Sequence, residues 1–439
     1  MAPLLLTFVI FLCLAQLALP KRLGSIPLLV ASCHIGNFEL FSELTPARLI
    51  IIIGIARALA TRSLKLSIRS RVDRTFIVFS IFALISGVGH DYSSGNPYLS
   101  RAGLILNVFG TYLYAKSYLF DIPSLRRLTL WLPLIILPLS IIMSVEKVTT
   151  RNAYQNLGLA LHGGTERDGK HRATGPFRSP ILAGTSGAAA LPLCVSLWHA
   201  HPLISAIGVG SSLAIVYAST SSGPAAAMAA GVAFLAFFRY RKHLKKVQII
   251  TLLGLAAATV LMGRPVWYLM ARIDIFGGST GWHRAKLMDQ GFLHLHEWWL
   301  FGTDYTRHWM ATGVSWSPNH ADITNYYLHL GVIGGIALPI CLVLLLWYSF
   351  RSIGTALKQE HTRPRTENFL LWCAGTSLAV HAASFLSISY YDQMYVHFYL
   401  LIGAIVGLTD NRKRASFGVT TTSTTSSPSE LVTRPALQR

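Results

Sequence analysis

Long apolar blocks separated by polar segments dominate the chain. A helix needs about 20 apolar residues to cross the hydrocarbon core of a bilayer, with about 17 as a lower bound. Candidate blocks occupy residues 4–19, 47–60, 75–89, 102–120, 128–145, 180–198, 202–218, 223–238, 248–263, 324–349, 368–387 and 394–409. The shorter run 23–33 is a further span or a re-entrant segment. The pattern predicts an all-α, polytopic integral membrane protein with about 12 or 13 transmembrane helices.

Composition favours the same class. Of the 439 residues, 52% are hydrophobic and 13% are charged, and the mean hydropathy is +0.47. A soluble chain of this length needs more charge to cover its surface. The first block has no basic segment before it and is followed by Lys21 and Arg22, so we expect a retained helix and not a cleaved signal peptide. The five cysteines form no CxxC pair, so they indicate neither a disulfide framework nor a thiolate metal site.

The positive charge is concentrated in a few short segments. The net charge is +20, from 38 Lys and Arg against 18 Asp and Glu. In a soluble protein this excess would favour nucleic-acid binding, but cations here cluster in 61–74, 239–246 and 411–416, as the positive-inside rule expects of cytoplasmic loops. We therefore predict the lipid bilayer as a partner and no nucleic acid. The segments 146–179 and 264–323 then both lie on the extracytoplasmic side.

One integral membrane domain is predicted over residues 1–409. The larger of its two extracytoplasmic loops is expected to contain interfacial helices. Residues 410–439 are polar and rich in Ser and Thr, which is typical of a disordered cytoplasmic tail. The larger loop also contains six Trp residues, which suit either a membrane interface or a platform for sugar rings. Of these, we assign Trp282 to substrate binding.

The first candidate motif is HRATGPFRSP, residues 171–180. Arg172 and Arg178 precede an apolar helix that we expect to begin near Pro180. A helix N-terminus offers unpaired N–H groups and the positive end of the helix dipole, so adding an arginine makes a suitable phosphate site. An ordinary interfacial arginine is the alternative interpretation.

The second candidate motif is GSTGWHRAKL, residues 278–287. Ser279 or Thr280 is predicted to cap a helix that runs through Arg284 to His296. Such a helix is too polar to span the bilayer and is expected to lie at its interface. A surface helix with a solvated arginine is the alternative.

The third candidate motif begins at Ser317 and leads into an apolar run. We expect a helix to begin near Asn319–His320, with Asp322 and Asn325 in its first turns. A histidine at a membrane boundary can exchange a proton near neutral pH, because its ordinary pKa is about 6.5. A histidine that only caps the helix is the alternative.

Two weaker patterns complete the survey. His294-x-His296-Glu297 and His308 contain zinc-binding side chains, but HxH alone is unspecific and neither an HExxH motif nor a cysteine pair supports it. We therefore predict no metal. Tyr390, Tyr391 and Asp392 fall at a predicted outside turn, where we expect structural roles first and, as the alternative, a place in the lining of the same cavity as the three motifs.

The three motifs stand in the sequence as R-x-x-G-x-F-x-x-P (172–180), T-G-x-x-R (280–284) and H-x-D-x-x-N-x-Y-L-x-x-G-x-x-G (320–334). Together, and in this order, they resemble the O-antigen ligase and polymerase superfamily of bacterial envelope glycosyltransferases. The resemblance implies an inverting enzyme of the bacterial inner membrane with its site on the periplasmic face. It also implies transfer of a glycan from undecaprenyl diphosphate to a saccharide or lipid-linked acceptor, with no metal or cofactor.

Residue by residue, the resemblance assigns catalysis to Arg172, Arg284 and His320. Arg178 is the alternative to Arg172 in this assignment. We assign substrate binding to Arg178, Asp322, Asn325 and Trp282. The chain departs from the family where many members have Ser-Arg-Gly and this sequence has SSGP (221–224). It also has Asp322 where His-Asn is common, which is closer to exopolysaccharide polymerases.

Two other classes remain open. A transporter or flippase of polyisoprenoid-linked saccharides would need polar residues near the middle of the bilayer, and the predicted helix centres are almost free of them. A non-catalytic scaffold would leave Arg172, Arg284 and His320 without a role.

Overall fold

The computed structural model describes residues 3–40, 43–64, 68, 70–92, 95–272, 275, 280–314, 317–358 and 363–422. This part of the chain is predominantly helical. Its α-helices are α1 (Pro3–Ala18), α2 (Ile26–His34), α3 (Pro46–Ala60), α4 (Arg71–Ser86), α5 (Pro97–Ile105), α6 (Thr111–Tyr118), α7 (Ile122–Thr149), α8 (Ala153–Asn156), α9 (Pro180–Val195), α10 (Pro202–Ser219), α11 (Ser222–Ala236), α12 (Leu244–Met262), α13 (Gly281–Leu293), α14 (Leu295–Trp298), α15 (Tyr326–Gly334), α16 (Ala337–Lys358), α17 (Arg365–Ser384) and α18 (Gln393–Thr422). A π-helical turn, Leu106–Gly110, joins α5 to α6. Short 3-10 helices lie at Lys21–Leu23, Gly87–Gly89, Phe237–His243, Val266–Arg272 and Arg307–Trp309.

Several helices are long and apolar enough to cross a membrane. Within the described ranges these are Arg71–Gly89, Ile122–Thr149, Pro202–Ser219, Ser222–Arg241 and Ala337–Lys358. A sixth candidate is the pair Ile249–Met262 and Val266–Arg272, which is bent by 78°. The apolar helices α1, α9 and Gln393–Leu408 are shorter. The predominantly helical fold is thus confirmed, and its apolar helices agree with a membrane protein, whereas the larger number of spans and the sidedness of the loops stay predictions.

The predicted span 324–349 is broken in the structure. Gly335 separates α15 from α16 with a φ of +76°, and a Cβ atom at this position would lie 2.1 Å from the carbonyl oxygen of Leu300. Only glycine therefore fits here. The Ile336 N–H donates to the carbonyl oxygen of Trp299 at 2.9 Å. The Trp299 carbonyl thus accepts a backbone N–H that has no partner within a helix, because the break interrupts the helical hydrogen bonds.

Two antiparallel hairpins interrupt the helical pattern: β1 (Thr165–Arg167) with β2 (Lys170–Arg172), and β3 (Gly313–Val314) with β4 (Ser317–Ala321). The predicted helix start near Asn319–His320 is therefore wrong. The Ala321 N–H donates to the Thr306 hydroxyl at 3.0 Å and not to a helical carbonyl. The helix begins only after Asn325, whose side chain accepts the Leu328 N–H at 3.0 Å as an N-cap.

The large apolar core lies among the long helices, and a smaller core holds the 264–323 segment against α15. The smaller core consists of Leu287, Trp298, Trp309, Met310, Ala321, Ile323, Leu328 and Val332. It therefore fixes α13, β4 and α15 relative to one another. Helix α18 runs to Thr422, so the predicted tail 410–439 begins inside it, and residues 423–439 lie outside the described ranges.

Candidate functional site

A buried carboxylate shapes the loop that contains the first motif. Glu146, near the end of α7, is fully buried and accepts the backbone N–H groups of Thr174 at 3.1 Å and Gly175 at 2.9 Å. The Asn152 amide donates to the Gly175 carbonyl at 2.7 Å. Gly175 has a φ of +56°, in the left-handed region that glycine adopts readily. These bonds fix the path of the chain between the two arginines of the motif.

The helix after this loop begins at Pro180, as the sequence predicts. Ser179 caps it by accepting the Leu182 N–H at 3.3 Å, and Pro180 occupies the first turn, where its missing N–H has no cost. Arg172 consequently lies at the end of β2 and Arg178 immediately before the helix cap.

The hairpin before the loop brings cations together on one face. Asp168 and Gly169 have φ values of +51° and +67°, as a two-residue type I′ turn requires. Arg167 lies directly opposite Lys170 in the register, and Arg172 lies two residues further along on the same side. Like charges in this arrangement destabilise a hairpin. An anion bound on this face would offset the repulsion among Arg167, Lys170 and Arg172.

Arg172 is buried and only partly satisfied. Its side chain donates from Nη2 to the Ser221 hydroxyl at 2.7 Å, while its Nε atom is buried without a partner. The residue is 6% exposed. Burial, followed by the nearby charges of Arg167 and Arg284, lowers the pKa of Arg172 to about 10, which leaves it charged at neutral pH.

Arg284 repeats these features on a different element. It lies in the first turn of α13, is 8% exposed, and has a buried Nε atom without a partner. Burial, and then Arg167, lowers the pKa of Arg284 to about 10, while Asp322 opposes the change. The structure therefore brings Arg172 and Arg284 into electrostatic range of each other, with Arg167 acting on both.

Neither buried arginine has a carboxylate within ion-pairing distance among the described residues. Asp322 acts on Arg284 only at longer range. Desolvation raises the pKa of Asp322, while the nearby His283 and Arg284 oppose that shift. A buried group of positive charges with unused donors is a suitable place for a strongly charged anion.

Arg178 belongs to a neighbouring cavity. Its guanidinium lies over the Tyr391 ring, 5.2 Å from the centroid. Arg178 and Asp392 line a cavity of about 210 Å³ together with Asn37, Leu161, His162 and Pro176. Asp392 has a φ of +52°, a strained conformation for a residue other than glycine, and such strain is frequent at functional sites. Burial raises the pKa of Asp392 to about 6, although Arg178 and Arg48 oppose the shift.

His320 lies in β4 and is half-buried. Its Nδ1 atom is 2.7 Å from the Ser317 hydroxyl. Burial lowers the pKa of His320 below its ordinary value, and Asp304 partly opposes that shift. The imidazole is therefore neutral at pH 7, as a general base must be.

Two of the predicted substrate-binding residues occupy structural positions. Asn325 caps α15 and donates to the Met288 sulfur at 3.1 Å, so both ends of its amide are used. Trp282 is exposed beneath the Lys286 ammonium, 5.2 Å from its ring centroid. Since two residues span about 200° of helix, Trp282 and the buried Arg284 point in different directions from α13.

Arg167 is a further cation of the site that none of the three sequence motifs contains. The signal was present, because an Asp-Gly dipeptide between two short polar strands is a strong hairpin indicator. That hairpin register would have placed Arg167 on the face of Arg172. The proximity of Arg167 to Arg284, in contrast, depends on how the segment 146–179 packs against the segment 264–323, which the hairpin register does not describe.

The fold is that of an α-helical protein with helices apolar enough to cross a membrane, and it brings two buried arginines close to each other. A scan against protein-family models and searches of curated proteins and of solved structures found no match to this chain. The resemblance to O-antigen ligases and polymerases therefore rests on the three motifs alone.

Proposed function

We propose that this protein is an inverting membrane glycosyltransferase that transfers or polymerises a glycan from undecaprenyl diphosphate onto a hydroxyl acceptor. The observation that supports this most is the pair of buried guanidiniums, Arg172 and Arg284, with unpartnered Nε atoms and Arg167 nearby. A buried charge without a counterion is costly. A diphosphate offers two adjacent anionic groups and matches the planar donor geometry of arginine. We further propose that the site faces the periplasm from the bacterial inner membrane.

In the proposed reaction, the acceptor hydroxyl attacks the anomeric carbon on the face opposite the diphosphate. The anomeric C–O bond breaks, and its electron pair stays on the diphosphate oxygen. Arg172 and Arg284 stabilise this developing charge by charge-assisted hydrogen bonds worth about 1.5–3 kcal/mol each. The hydroxyl proton passes to His320, a role worth about 10²–10⁴-fold in rate. No nucleotide or metal is needed, because diphosphate is already a good leaving group.

The cavity beside Arg178 is the proposed acceptor site. Its polar lining includes Asn37, His162 and the Asp392 carboxylate, which can bond to sugar hydroxyls. Arg178 and Asp392 precede α9 and α18 respectively, so the cavity lies next to helix ends and not within a helix bundle. A saccharide or lipid-linked acceptor could thus approach while the donor lipid stays in the bilayer.

Complementation of a deletion strain tests the proposal. Arg172→Ala, Arg284→Ala and His320→Ala should each abolish surface glycan at normal protein level, with lipid-linked glycan accumulating on the outer leaflet. Arg151→Ala, at an exposed arginine outside the cluster, is the matched control and should restore surface glycan. Full complementation by all three site variants would exclude the proposed chemistry.

Transport of polyisoprenoid-linked saccharides is the second candidate. It is favoured by His381 and His397, which line an internal cavity among α2, α7, α9, α17 and α18. Both are already bonded, His381 to the Tyr390 hydroxyl at 2.6 Å and His397 to the Ser32 hydroxyl at 3.1 Å. The same strains distinguish the two functions. Trapping of lipid-linked glycan on the inner leaflet in the site variants would support transport and contradict transfer.

A further inference from the structure

A second cluster of chemically active side chains lies in the 264–323 segment, apart from the arginines. His294, Glu297 and His308 come from the α13–α14 junction and the Arg307–Trp309 turn. Their Nδ1, Oε1 and Nε2 atoms all lie within 4.8 Å of one another. One carboxylate oxygen, Oε1 of Glu297, is 2.8 Å from His294 Nδ1 and 3.0 Å from His308 Nε2.

The other carboxylate oxygen of Glu297 is held in place. The Trp309 indole donates to Oε2 at 2.9 Å, and the Trp309 ring stacks on His294 with an interplanar angle of 8°. With Oε2 bonded to the Trp309 indole, Oε1 of Glu297 faces the imidazoles of His294 and His308. Second-shell bonds of this kind orient the ligands at metal centres. Burial would raise the pKa of Glu297, but the bonds from Trp309, His308 and His294 lower it to about 2, so the carboxylate stays ionised.

We propose that His294, Glu297 and His308 form a metal site that binds a divalent transition ion, with zinc the best match. Two imidazoles and one carboxylate are a known zinc ligand set. Bonds of about 2.0–2.2 Å in a tetrahedron place ligand atoms about 3.3–3.6 Å apart, so the three groups need to move by only modest distances. His296 is positioned to supply a fourth ligand, because its Nε2 lies 3.9 Å from the same oxygen on an exposed side chain.

The proposed ion has a structural role and takes no part in glycan transfer. It would tie the end of α13, the helix of Arg284, to the turn Arg307–Trp309. Thr306, immediately before that turn, accepts the Ala321 N–H next to His320. Metal binding would therefore fix the distance between the helix of one proposed catalytic residue and the strand of another.

Metal titration of the purified full-length protein in detergent tests this inference independently of any transferase activity. After chelator treatment and dialysis, calorimetry with zinc should give one equivalent of tight binding. Cobalt should give the intense visible absorption of a tetrahedral site. His308→Ala and Glu297→Gln should each weaken zinc binding by at least about 10–100-fold. His199→Ala, at an exposed histidine elsewhere, is the matched control and should bind zinc as the unmodified protein does.

Two results would overturn the site. One is the absence of stoichiometric zinc binding and of the tetrahedral cobalt spectrum in the unmodified protein, which would mean that the cluster is only a hydrogen-bonded group. The other is unchanged zinc affinity in both His308→Ala and Glu297→Gln when they elute as folded protein in size-exclusion chromatography. His308 is the safer variant for folding, because its side chain is 35% exposed.

Discussion

Two of the regions in which this protein buries positive charge differ in how that charge is compensated. In the helical core, the Lys116 ammonium donates to the Asp73 carboxylate at 2.6 Å, and the Tyr112 hydroxyl donates to the same oxygen at 2.6 Å. At the candidate site, Arg172 and Arg284 are 6% and 8% exposed and have no carboxylate partner among the described residues. The first region is compensated by a carboxylate of the protein, whereas we propose that an anion from outside compensates the second.

This difference separates structural charge from functional charge. A buried pair with good geometry holds helices together but adds little net stability over apolar residues of the same shape. A buried cation without a partner costs free energy in the empty protein and is retained only if something else depends on it. The four predictions below test whether the two regions differ in this way.

The largest effect is expected in the compensated region. Lys116→Met should destabilise the protein by about 3–5 kcal/mol, because Asp73 would remain buried without its cation. Thermal unfolding in detergent measures the loss. The double variant Lys116→Met, Asp73→Leu should recover most of it, since both charges are then removed. A single variant as stable as the unmodified protein would show that this pair is not a structural counterpart to the arginines.

At the site, the expected loss is in activity and not in stability. Arg172→Lys and Arg284→Lys should each reduce glycan transfer by about 10²–10³-fold, because lysine keeps the charge but cannot form a bidentate fork. The unfolding temperatures of both variants should not fall, because lysine keeps the single positive charge and adds no repulsion among Arg167, Arg172 and Arg284. Transfer from a lipid-linked donor measures the first effect, with Arg151→Lys as the control. Full activity in both variants would remove the diphosphate clamp from the proposal.

A smaller effect is expected from the hairpin. Arg167→Gln should weaken binding of undecaprenyl diphosphate by about tenfold, the contribution of one charge-assisted hydrogen bond at an exposed position. Native mass spectrometry or a thermal-shift titration with that lipid measures the change. Glu166→Gln, on the opposite face of β1, is the control and should not weaken binding. Equal effects of the two variants would show that the hairpin acts only through its overall charge.

The smallest effect concerns the pH dependence set by His320, whose pKa burial lowers and Asp304 raises. Because burial lowers the pKa of His320 and a base must be neutral, transfer should fall only as the pH drops below about 6.5. Asp304 partly raises that pKa, so Asp304→Asn should move the acid limb of the pH–kcat/KM profile to lower pH. A shift to higher pH, or no acid limb at all, would contradict the assignment of His320 as the base.

The candidate site could be predicted from sequence where local chemistry decides the structure. The start of α9 at Pro180 follows from a serine cap and a proline in the first turn. Arg284 lies in the first turn of α13 as predicted, but Thr280 makes no side-chain cap bond there, and the alternative cap Ser279 lies outside the described residues. The order of the motifs predicts Arg172 and Arg284 as site residues but does not predict that both are buried. Their burial follows from contacts with distant parts of the chain, such as Ser221 for Arg172 and the smaller apolar core for α13.

The region around His320 shows where such reasoning ends. The helical spacing of His320, Tyr327 and Gly331 predicts a helix from near His320, but the Ala321 N–H of β4 donates to the Thr306 hydroxyl and the helix starts only at Tyr326. Tertiary pairing thus overrides local periodicity. In the same way, the side chains of His294, Glu297 and His308 were visible in the sequence, but only the fold brings them to one point.

The break at Gly335 has a consequence for how the protein is made. The ribosome synthesises Trp299 before Ile336, so the acceptor for the Ile336 N–H emerges first but lies in a segment outside the long helices. The segment that contains Arg284 thus supplies the acceptor for the amide that immediately precedes α16. Packing of that segment is therefore linked to the start of a long helix made later.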